Sequence, residues 1–287
     1  MDVMDAIKVE GLVKRYGKFE ALGGVNLDVP EGSVFGLVGP NGAGKTTLIK
    51  ALVGSLRPTA GSVRVLGLDP VKNRAELRRS IGYMPQSPAL YDDLSARDNV
   101  RFFGAAHRVG ELSKKVAEIL EFTELSDRAK DPVHTFSGGM KRRVSLACAL
   151  VHEPRMLFLD EPTAAVDPQL RNRFWRQFRE LARNSGSTLF ISTHLMDEAM
   201  LCDRIAILRR GKIIASETPR RILENGGVRL TVEKNGGNVE RRIGGHPEDL
   251  AHALRSYGLA DDVEAISVEA DSLEDVVLAI IGEEERR

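Results

Sequence analysis

The sequence predicts an α/β protein with a core of parallel strands, an antiparallel β subdomain, a helical insertion and a small C-terminal α+β appendix. Three observations lead to this fold class. A glycine-rich loop at 39–47 lies between an apolar strand and a helix, short apolar strands end repeatedly in polar residues, and strand signals stop between about 94 and 151. We place the main domain at 5–220, with its helical subdomain at about 94–151, and the appendix at 221–287.

The glycine-rich loop satisfies the pattern G-x-x-x-x-G-K-S/T, which predicts a P-loop NTPase core. Its glycines let the backbone turn sharply, so that successive N–H groups point at phosphate oxygens. We expect Lys45 to reach the β and γ phosphates and Thr46 to place a hydroxyl on Mg²⁺. An ordinary glycine-rich turn is the alternative, and the complete pattern disfavours it. The residues expected to contact the nucleotide here are Gly39, Pro40, Asn41, Gly42, Ala43, Gly44, Lys45, Thr46 and Thr47.

The composition suits a globular protein with a substantial core. The 287 residues are 42% hydrophobic and 29% charged, and 41 basic side chains balance 41 acidic ones. This balance disfavours a broadly cationic nucleic-acid binder, so no nucleic-acid partner is expected. No stretch approaches the roughly 18 apolar residues of a membrane span, and no signal peptide is evident. Cys148 and Cys202 lack metal-ligand spacing, which favours buried thiols in a reducing cytoplasm.

Two alternating stretches, 7–13 and 21–29, predict an antiparallel strand pair near the start of the chain. Tyr16 lies on the connection between them. An isolated aromatic residue is most often ordinary surface packing. The residue pattern alone therefore leaves open whether Tyr16 contacts a nucleotide.

Polar residues follow three apolar strands of the predicted core. Gln86 is either a solvated loop residue or one that reaches a metal or water, because open α/β sheets bind ligands at the carboxyl ends of their strands. We expect Asp160 to hold Mg²⁺, directly or through water, and Glu161 to orient and deprotonate an attacking water. A lone histidine is more often structural, but the position of His194 at a strand end favours a contact with the γ-phosphate.

The helical insertion ends in a second glycine-containing segment. Ser137, Gly138 and Gly139 open the apolar helix that runs to about Val151. A serine and two glycines at a helix N-terminus can form an anion-binding nest. A plain N-cap with flexible glycines explains the same residues equally well.

Together, these motifs resemble the ATP-binding subunit of ABC transporters over about residues 5–220. The resemblance implies that Tyr16 stacks on adenine. The motifs agree in kind, order and spacing with the Walker A loop (Gly39–Thr47), the Q-loop (Gln86), the signature (Ser137, Gly138 and Gly139), the Walker B acids (Asp160 and Glu161), the D-loop (Asp167) and the switch histidine (His194).

The same resemblance implies a mechanism with ATP and Mg²⁺ as cofactors. Two ATP-binding domains, identical or different, would pair head to tail and enclose two ATP molecules. Each nucleotide would lie between the Walker A loop of one domain and the Ser137, Gly138 and Gly139 segment of the other, with Asp167 nearby. This would explain why one domain carries two anion-binding nests.

Departures from the usual motifs point to a subgroup. Met140 replaces a glutamine, Phe136 replaces a leucine, and the D-loop contains Ala164, Ala165 and Val166 before its aspartate. These features are similar to the ATP-binding subunits of ABC-2-type exporters of drugs, antibiotics or lipids. The resemblance implies a permease on a separate chain, contacts to it from about residues 86–103, and a location on the cytoplasmic face of the membrane.

Two other function classes compete with transport. A soluble ABC ATPase could act as a clamp on ribosomes or DNA, but such proteins usually carry two ATPase domains or a long coiled-coil insertion. A P-loop phosphotransferase would not need the signature nest and the switch histidine. The sequence does not encode the cargo, and the appendix shows no catalytic constellation.

Overall fold

The computed structural model describes residues 5–164, 166–234, 237–244, 247–257 and 263–284, and Ala165 of the predicted D-loop lies outside these ranges. The strands are β1 (Asp5–Tyr16), β2 (Phe19–Pro30), β3 (Val34–Val38), β4 (Ala60–Val65), β5 (Ile81–Met84), β6 (Met156–Asp160), β7 (Thr188–Thr193), β8 (Arg204–Arg209), β9 (Lys212–Glu217), β10 (Gly227–Lys234), β11 (Gly237–Gly244) and β12 (Val263–Ala270). The helices are α1 (Lys45–Leu52), α2 (Arg74–Ser80), α3 (Ala96–Ala106), α4 (Leu112–Phe122), α5 (Gly138–Leu150), α6 (Pro168–Ser185), α7 (Met196–Ala199), α8 (Pro219–Glu224), α9 (Pro247–Tyr257) and α10 (Leu273–Glu284).

A six-stranded sheet forms the centre of the main domain, in the order β5-β6-β7-β3-β8-β9. Its strands are parallel except for β9, which pairs antiparallel with β8. Strands β3, β6 and β7 are buried along their whole length, as their continuous apolar sequences predict for a sheet covered on both faces. The loops that follow β3, β5, β6 and β7 consequently meet at one edge of the sheet.

Different layers cover the two faces of this sheet. On one face Phe35, Phe158 and Phe190 pack in a cluster with α1 and with a second sheet of order β2-β1-β4. This second sheet confirms the predicted antiparallel subdomain. On the other face the alternate residues of the same strands pack against α6, where Trp175 and Phe178 are fully buried.

The helical insertion has a small core of its own. Helices α3, α4 and α5 enclose buried residues that include Val100, Leu120 and Val144, and two short 3₁₀ turns join α4 to α5. Asn99 is buried, and its side-chain amide donates to the carbonyl groups of Tyr91 and Ser95. No strand lies within 94–151, all of which is described, so the predicted helical subdomain is confirmed.

The C-terminal region forms a small antiparallel sheet of order β11-β10-β12, on which α9 packs through Ala253. Helix α10 instead returns to the main domain, where Val276 and Val277 join the cluster around α6. Asp271 holds this return in place, because it accepts hydrogen bonds from the Gly227 amide and from Arg242, both at 2.6 Å. The α+β composition of the region is confirmed, and a domain boundary near residue 220 stays a prediction. Among the described helices, none combines the length and the apolar character needed to cross a lipid bilayer.

Candidate nucleotide-binding site

The glycine-rich loop follows β3 and opens α1, as its pattern predicts. Gly42 and Gly44 have φ values of +79° and +111°, in the left-handed region that favours glycine. Gly39 is required for a different reason, since a Cβ atom there would lie 2.2 Å from the carbonyl oxygen of Leu208. At each of these three positions, the structure of this chain therefore explains why the residue is glycine.

Lys45 is buried at the floor of this loop. Its ammonium donates to the carbonyl oxygens of Gly39 at 2.7 Å and Pro40 at 3.2 Å. It also lies 3.4 Å from Oε1 of Glu161, which is buried as well. A buried charge needs such partners, and the two carbonyl groups hold the ammonium against the loop.

Thr46 and Asp160 bring two oxygen groups together beside the loop. The Thr46 hydroxyl donates to Oδ2 of Asp160 at 2.8 Å, and the Ser192 hydroxyl donates to Oδ1 at 2.5 Å. A hydroxyl next to a carboxylate at the end of a phosphate loop fits Mg²⁺, which prefers oxygen ligands. Burial, together with the Asp160 charge, raises the pKa of Tyr83 to about 12, so this phenol stays protonated.

Glu161 is the point at which the predicted catalytic residues converge. Its Oε2 accepts from Gln86 Nε2 at 3.4 Å and lies 3.5 Å from Nδ1 of His194. Its other oxygen faces Lys45. The structure thus brings Gln86, Lys45, Glu161 and His194 to one point from four separate segments of the chain. Gln86, predicted as a possible metal ligand, bonds to Glu161 rather than to Asp160.

A cavity of about 380 Å³ opens over the loop. Tyr16 is not among the residues that line it, but Phe19 is, with 66% of its surface exposed. The two aromatic residues face each other across the β1–β2 hairpin, so Tyr16 stands next to the cavity. Its ring also lies 5.0 Å from the ammonium of Lys14. The lining comprises Phe19, Ala21, Asn41, Gly42, Gly44, Lys45, Thr46, Thr47, Gln86 and Glu161.

The second glycine-containing segment does not line this cavity. Ser137 is the N-cap of α5, and its hydroxyl accepts from the Met140 amide at 3.3 Å. Asp167 caps α6 in the same way through the Leu170 amide. Ser137 and Asp167 are both exposed.

Comparison with known proteins identifies the family. Residues 22–164 match the model of the ABC transporter family. The linearmycin resistance ATP-binding protein LnrL of Bacillus subtilis is 36% identical, and the alignment covers 96% of this chain and 89% of LnrL. The chain belongs to the ABC transporter ATP-binding subunits.

Two further comparisons place this ABC subunit among its relatives. Nod factor export ATP-binding protein I of Rhizobium sp. is 37% identical, over 93% of the ABC subunit and 84% of the relative. The ATP-binding cassette MJ0796, solved as a dimer in a post-hydrolysis state with ADP and Pi, is 28% identical with a TM-score of 0.70, over 74% of the ABC subunit and 98% of the cassette. The subunit is therefore an ATPase, and ABC cassettes of this kind form dimers and associate with the membrane components of a transporter.

Three residues around the site of the ABC subunit were not predicted from its sequence. Ser192 bridges the two acids, because its hydroxyl donates to Asp160 and accepts from the Glu161 amide at 3.0 Å. Glu198 is buried and accepts from the Thr193 hydroxyl at 2.6 Å and from the Thr163 hydroxyl. Arg142 donates to the Glu161 carbonyl oxygen at 2.7 Å. Ser192 could have been found as a polar residue near the end of a buried strand, but the other two follow no motif.

Proposed function

We propose that this ABC subunit closes head to tail with a second ATP-binding subunit around two ATP molecules and thereby drives a separate permease of the ABC-2 type. The second subunit is another copy of this chain or a related chain. Each ATP lies between the phosphate loop of one subunit and the Ser137, Gly138 and Gly139 segment of the other, with Asp167 beside it.

The observation that carries this proposal is the open space at Gly138. Apart from its chain neighbours and the backbone of its own helix, a Cβ atom built there meets no atom of the described residues within 4 Å, and the φ angle of Gly138 is not positive. No contact among the described residues therefore requires glycine at this exposed position. An anion on a second subunit that approaches the first turn of α5 gives the missing reason, since backbone N–H groups and the helix dipole favour negative charge there.

The chemistry follows from the groups that meet at Glu161. This carboxylate accepts a proton from water while the water oxygen attacks the γ-phosphorus. The bond from the γ-phosphorus to the bridging oxygen breaks, and its electron pair leaves with ADP. Lys45 places its positive charge on the phosphates, and His194 contacts the γ-phosphate from the opposite side of Glu161.

Thr46, Asp160 and Gln86 are the residues that would hold Mg²⁺. The 2.8 Å contact between the Thr46 hydroxyl and the Asp160 carboxylate supports the first two. When bound, the ion neutralises negative charge on the β and γ phosphates. Asp160 stays in position because Ser192 holds its other oxygen.

Tyr16 is proposed to stack on the adenine. Its cross-strand neighbour Phe19 lines the cavity, and Tyr16 is itself about half exposed at the same end of the β1–β2 hairpin. An exposed aromatic ring offers a flat face on which a nucleobase can stack.

Export of a drug, antibiotic or lipid-like compound is the proposed direction and class of transport. The support is the likeness to a linearmycin resistance protein and to a Nod factor export protein over most of the chain. The permease would bind residues 86–103, where Tyr91 and Phe102 are about half exposed and meet edge to face at 4.9 Å. Exposed aromatic residues are typical of binding surfaces. The subunit would then act on the cytoplasmic face of the membrane.

The test is an affinity purification of the full chain from detergent-solubilised membranes of its own cells. We expect an integral membrane protein to co-purify in stoichiometric amount. A Phe102→Ala variant should lose this partner, whereas a Val71→Ala variant, which changes an exposed apolar residue outside 86–103, should retain it. Recovery of ribosomal or DNA-bound partners alone would contradict the transport proposal and favour a soluble clamp.

A further inference from the structure

Arg142 makes a contact that none of the proposed roles uses. It lies in the second turn of α5, the helix whose N-cap is Ser137. Its guanidinium donates to the carbonyl oxygen of Glu161 at 2.7 Å, and its side chain is half-buried. One end of α5 thus carries the segment proposed to complete the ATP site of a partner subunit. The next turn of the same helix holds the proposed general base of its own subunit.

The Glu161 backbone is in a conformation that needs such support. Its φ is +52°, in the left-handed region that non-glycine residues rarely occupy. A residue stays there only when its surroundings fix it. On the amide side, the Glu161 N–H donates to the carbonyl oxygen and the hydroxyl of Ser192. On the carbonyl side, the oxygen accepts from Arg142 and, at 3.3 Å, from the Ala164 amide.

The geometry makes the Arg142 bond the stronger of the two contacts on the carbonyl side. A charged donor forms a shorter and stronger bond than a neutral amide does, and the distances of 2.7 and 3.3 Å agree with that order. Loss of this bond would leave the carbonyl side of Glu161 with the Ala164 contact alone. The carboxylate would then be held less firmly at the point where it meets Lys45 and His194.

We propose that Arg142 is a positioning residue that holds the general base Glu161 from the helix that bears the second phosphate-binding segment. The inference rests on the proposed function, because it takes Glu161 as the base and Ser137 as a contact to the partner's ATP. Its consequence is mechanical. A shift of α5 when the partner's ATP binds is transmitted to the Glu161 peptide of the same subunit, so each site senses the other.

Arg143 offers a matched control on the same helix. It too donates to a backbone carbonyl oxygen, that of Glu124 at 3.0 Å, but this bond stays within the helical subdomain. Arg142→Ala and Arg143→Ala therefore each remove one arginine-to-carbonyl bond, and only the first acts on Glu161. Arg142→Lys keeps the positive charge but loses the planar donor fork.

The experiment measures kcat, KM and equilibrium ATP binding of the full chain for these three variants. We expect Arg142→Ala to lower kcat by about 10-fold with ATP binding unchanged, as for the loss of one charge-assisted bond. Arg142→Lys should recover part of the rate, and Arg143→Ala should stay within about twofold of the unchanged chain. A loss equal in Arg142→Ala and Arg143→Ala, or one that appears only as weaker ATP binding, would overturn the proposal.

Mixed dimers of differently tagged chains locate the effect. With Arg142→Ala in one chain and Glu161→Gln in the other, the one competent site uses a Glu161 that Arg142 no longer holds. With both substitutions in one chain, the competent site uses an intact Arg142 and Glu161. We expect the first dimer to be slower than the second, and the reverse order would mean that Arg142 serves the Ser137 segment instead.

The outcomes also separate this inference from the proposed function. Near-normal turnover of a Glu161→Gln homodimer would refute the role of Glu161 as the base, whatever Arg142 does. Slow turnover of Glu161→Gln together with normal turnover of Arg142→Ala would refute only the positioning role.

Discussion

The two glycine-containing segments of this subunit differ in whether the structure of the single subunit explains their glycines. In the phosphate loop, Gly39 avoids a clash with Leu208, and Gly44 adopts a φ of +111° that side chains disfavour. In the second segment, Gly138 has neither reason, because its surroundings are open and its φ is not positive. Contacts and backbone angles within one chain account for the first segment, whereas the second segment is exposed and has no such explanation.

The difference indicates which half of the ATP site one subunit can supply. The phosphate loop has a buried lysine, a hydroxyl and two acids around it, and these groups contact one another directly. The second segment has only its backbone N–H groups and the Ser137 hydroxyl. The second segment can bind an anion only when another subunit presents one. This is the basis of the proposed head-to-tail dimer.

The largest expected effect distinguishes ATP hydrolysis from ATP binding and dimer formation. Glu161→Gln should lower the ATP turnover rate by about 10² to 10⁴, the usual contribution of a general base. The amide still fits between Lys45 and Gln86, so ATP should still bind and the dimer should persist. Glu180→Gln, which changes an exposed acid on α6, is the control. Normal turnover of Glu161→Gln would remove the residue from this role.

Two glycine-to-alanine variants test the comparison itself. Gly39→Ala should lower the free energy of unfolding by about 1–3 kcal/mol, because the new methyl group meets backbone that cannot move aside. Gly138→Ala should lower neither the melting temperature nor ATP binding by the single subunit, since the methyl group enters open space at a compatible φ. It should nevertheless weaken the ATP-dependent dimer. Thermal unfolding and sedimentation would measure these effects, and a destabilised Gly138→Ala monomer would contradict the contrast.

A Glu198 variant tests how much the buried hydrogen bonds beside the phosphate-loop site contribute to stability. Glu198→Ala leaves the buried hydroxyls of Thr163 and Thr193 without their acceptor. Unsatisfied buried groups cost about 1–3 kcal/mol, so denaturant unfolding should show a loss of that order. The ATPase rate should fall as well, because these threonines lie beside Glu161 and His194. Asp197→Ala changes the exposed neighbour of Glu198 and should have little effect.

The last expected effect concerns acid and the helix that bears the second segment. Burial and the stacked ring of His107 lower the pKa of His152, just after α5, to about 4. The unfolded chain, with the ordinary pKa of about 6.5, therefore binds a proton first as the pH falls. The resulting stability is complete above pH 6.5 and is lost between about pH 6.5 and 4.

His152→Phe should reduce this pH dependence, because the replacement ring does not titrate. The measurement is the melting temperature between pH 7 and 4, with His134→Phe, a change at an exposed histidine of the same subdomain, as the control. An unchanged slope in His152→Phe would exclude this residue as the cause.

Sequence patterns predicted the elements that depend on local order. The apolar run that becomes β6 placed Asp160 and Glu161 at a strand end, because a strand buried on both faces needs continuous hydrophobicity. The glycine-rich pattern likewise predicted the phosphate loop, and the absence of strand signals predicted the helical insertion. The convergence of Gln86, Lys45 and His194 on Glu161 could be inferred only in outline, since it depends on the strand order β5-β6-β7-β3.

Other features depend on contacts that the sequence does not encode locally. Arg142 sits in a run of three basic residues that look alike, and only its contact with Glu161 distinguishes it. Glu198 lies in the short helix α7, which has no pattern of its own. The return of α10 to the main domain was also not predictable, because an apolar helix face does not specify the surface it covers.

The most direct test of the central claim is the ATP-dependent association of subunits, measured by sedimentation in the slowly hydrolysing Glu161→Gln background. With ATP, this chain should sediment as a dimer. Addition of Ser137→Arg should yield a monomer that still binds ATP, whereas Ser126→Arg, a change at an exposed serine of the same subdomain, should leave the dimer intact. Dimers that persist with Ser137→Arg would contradict the claim that the second segment completes the ATP site of another subunit.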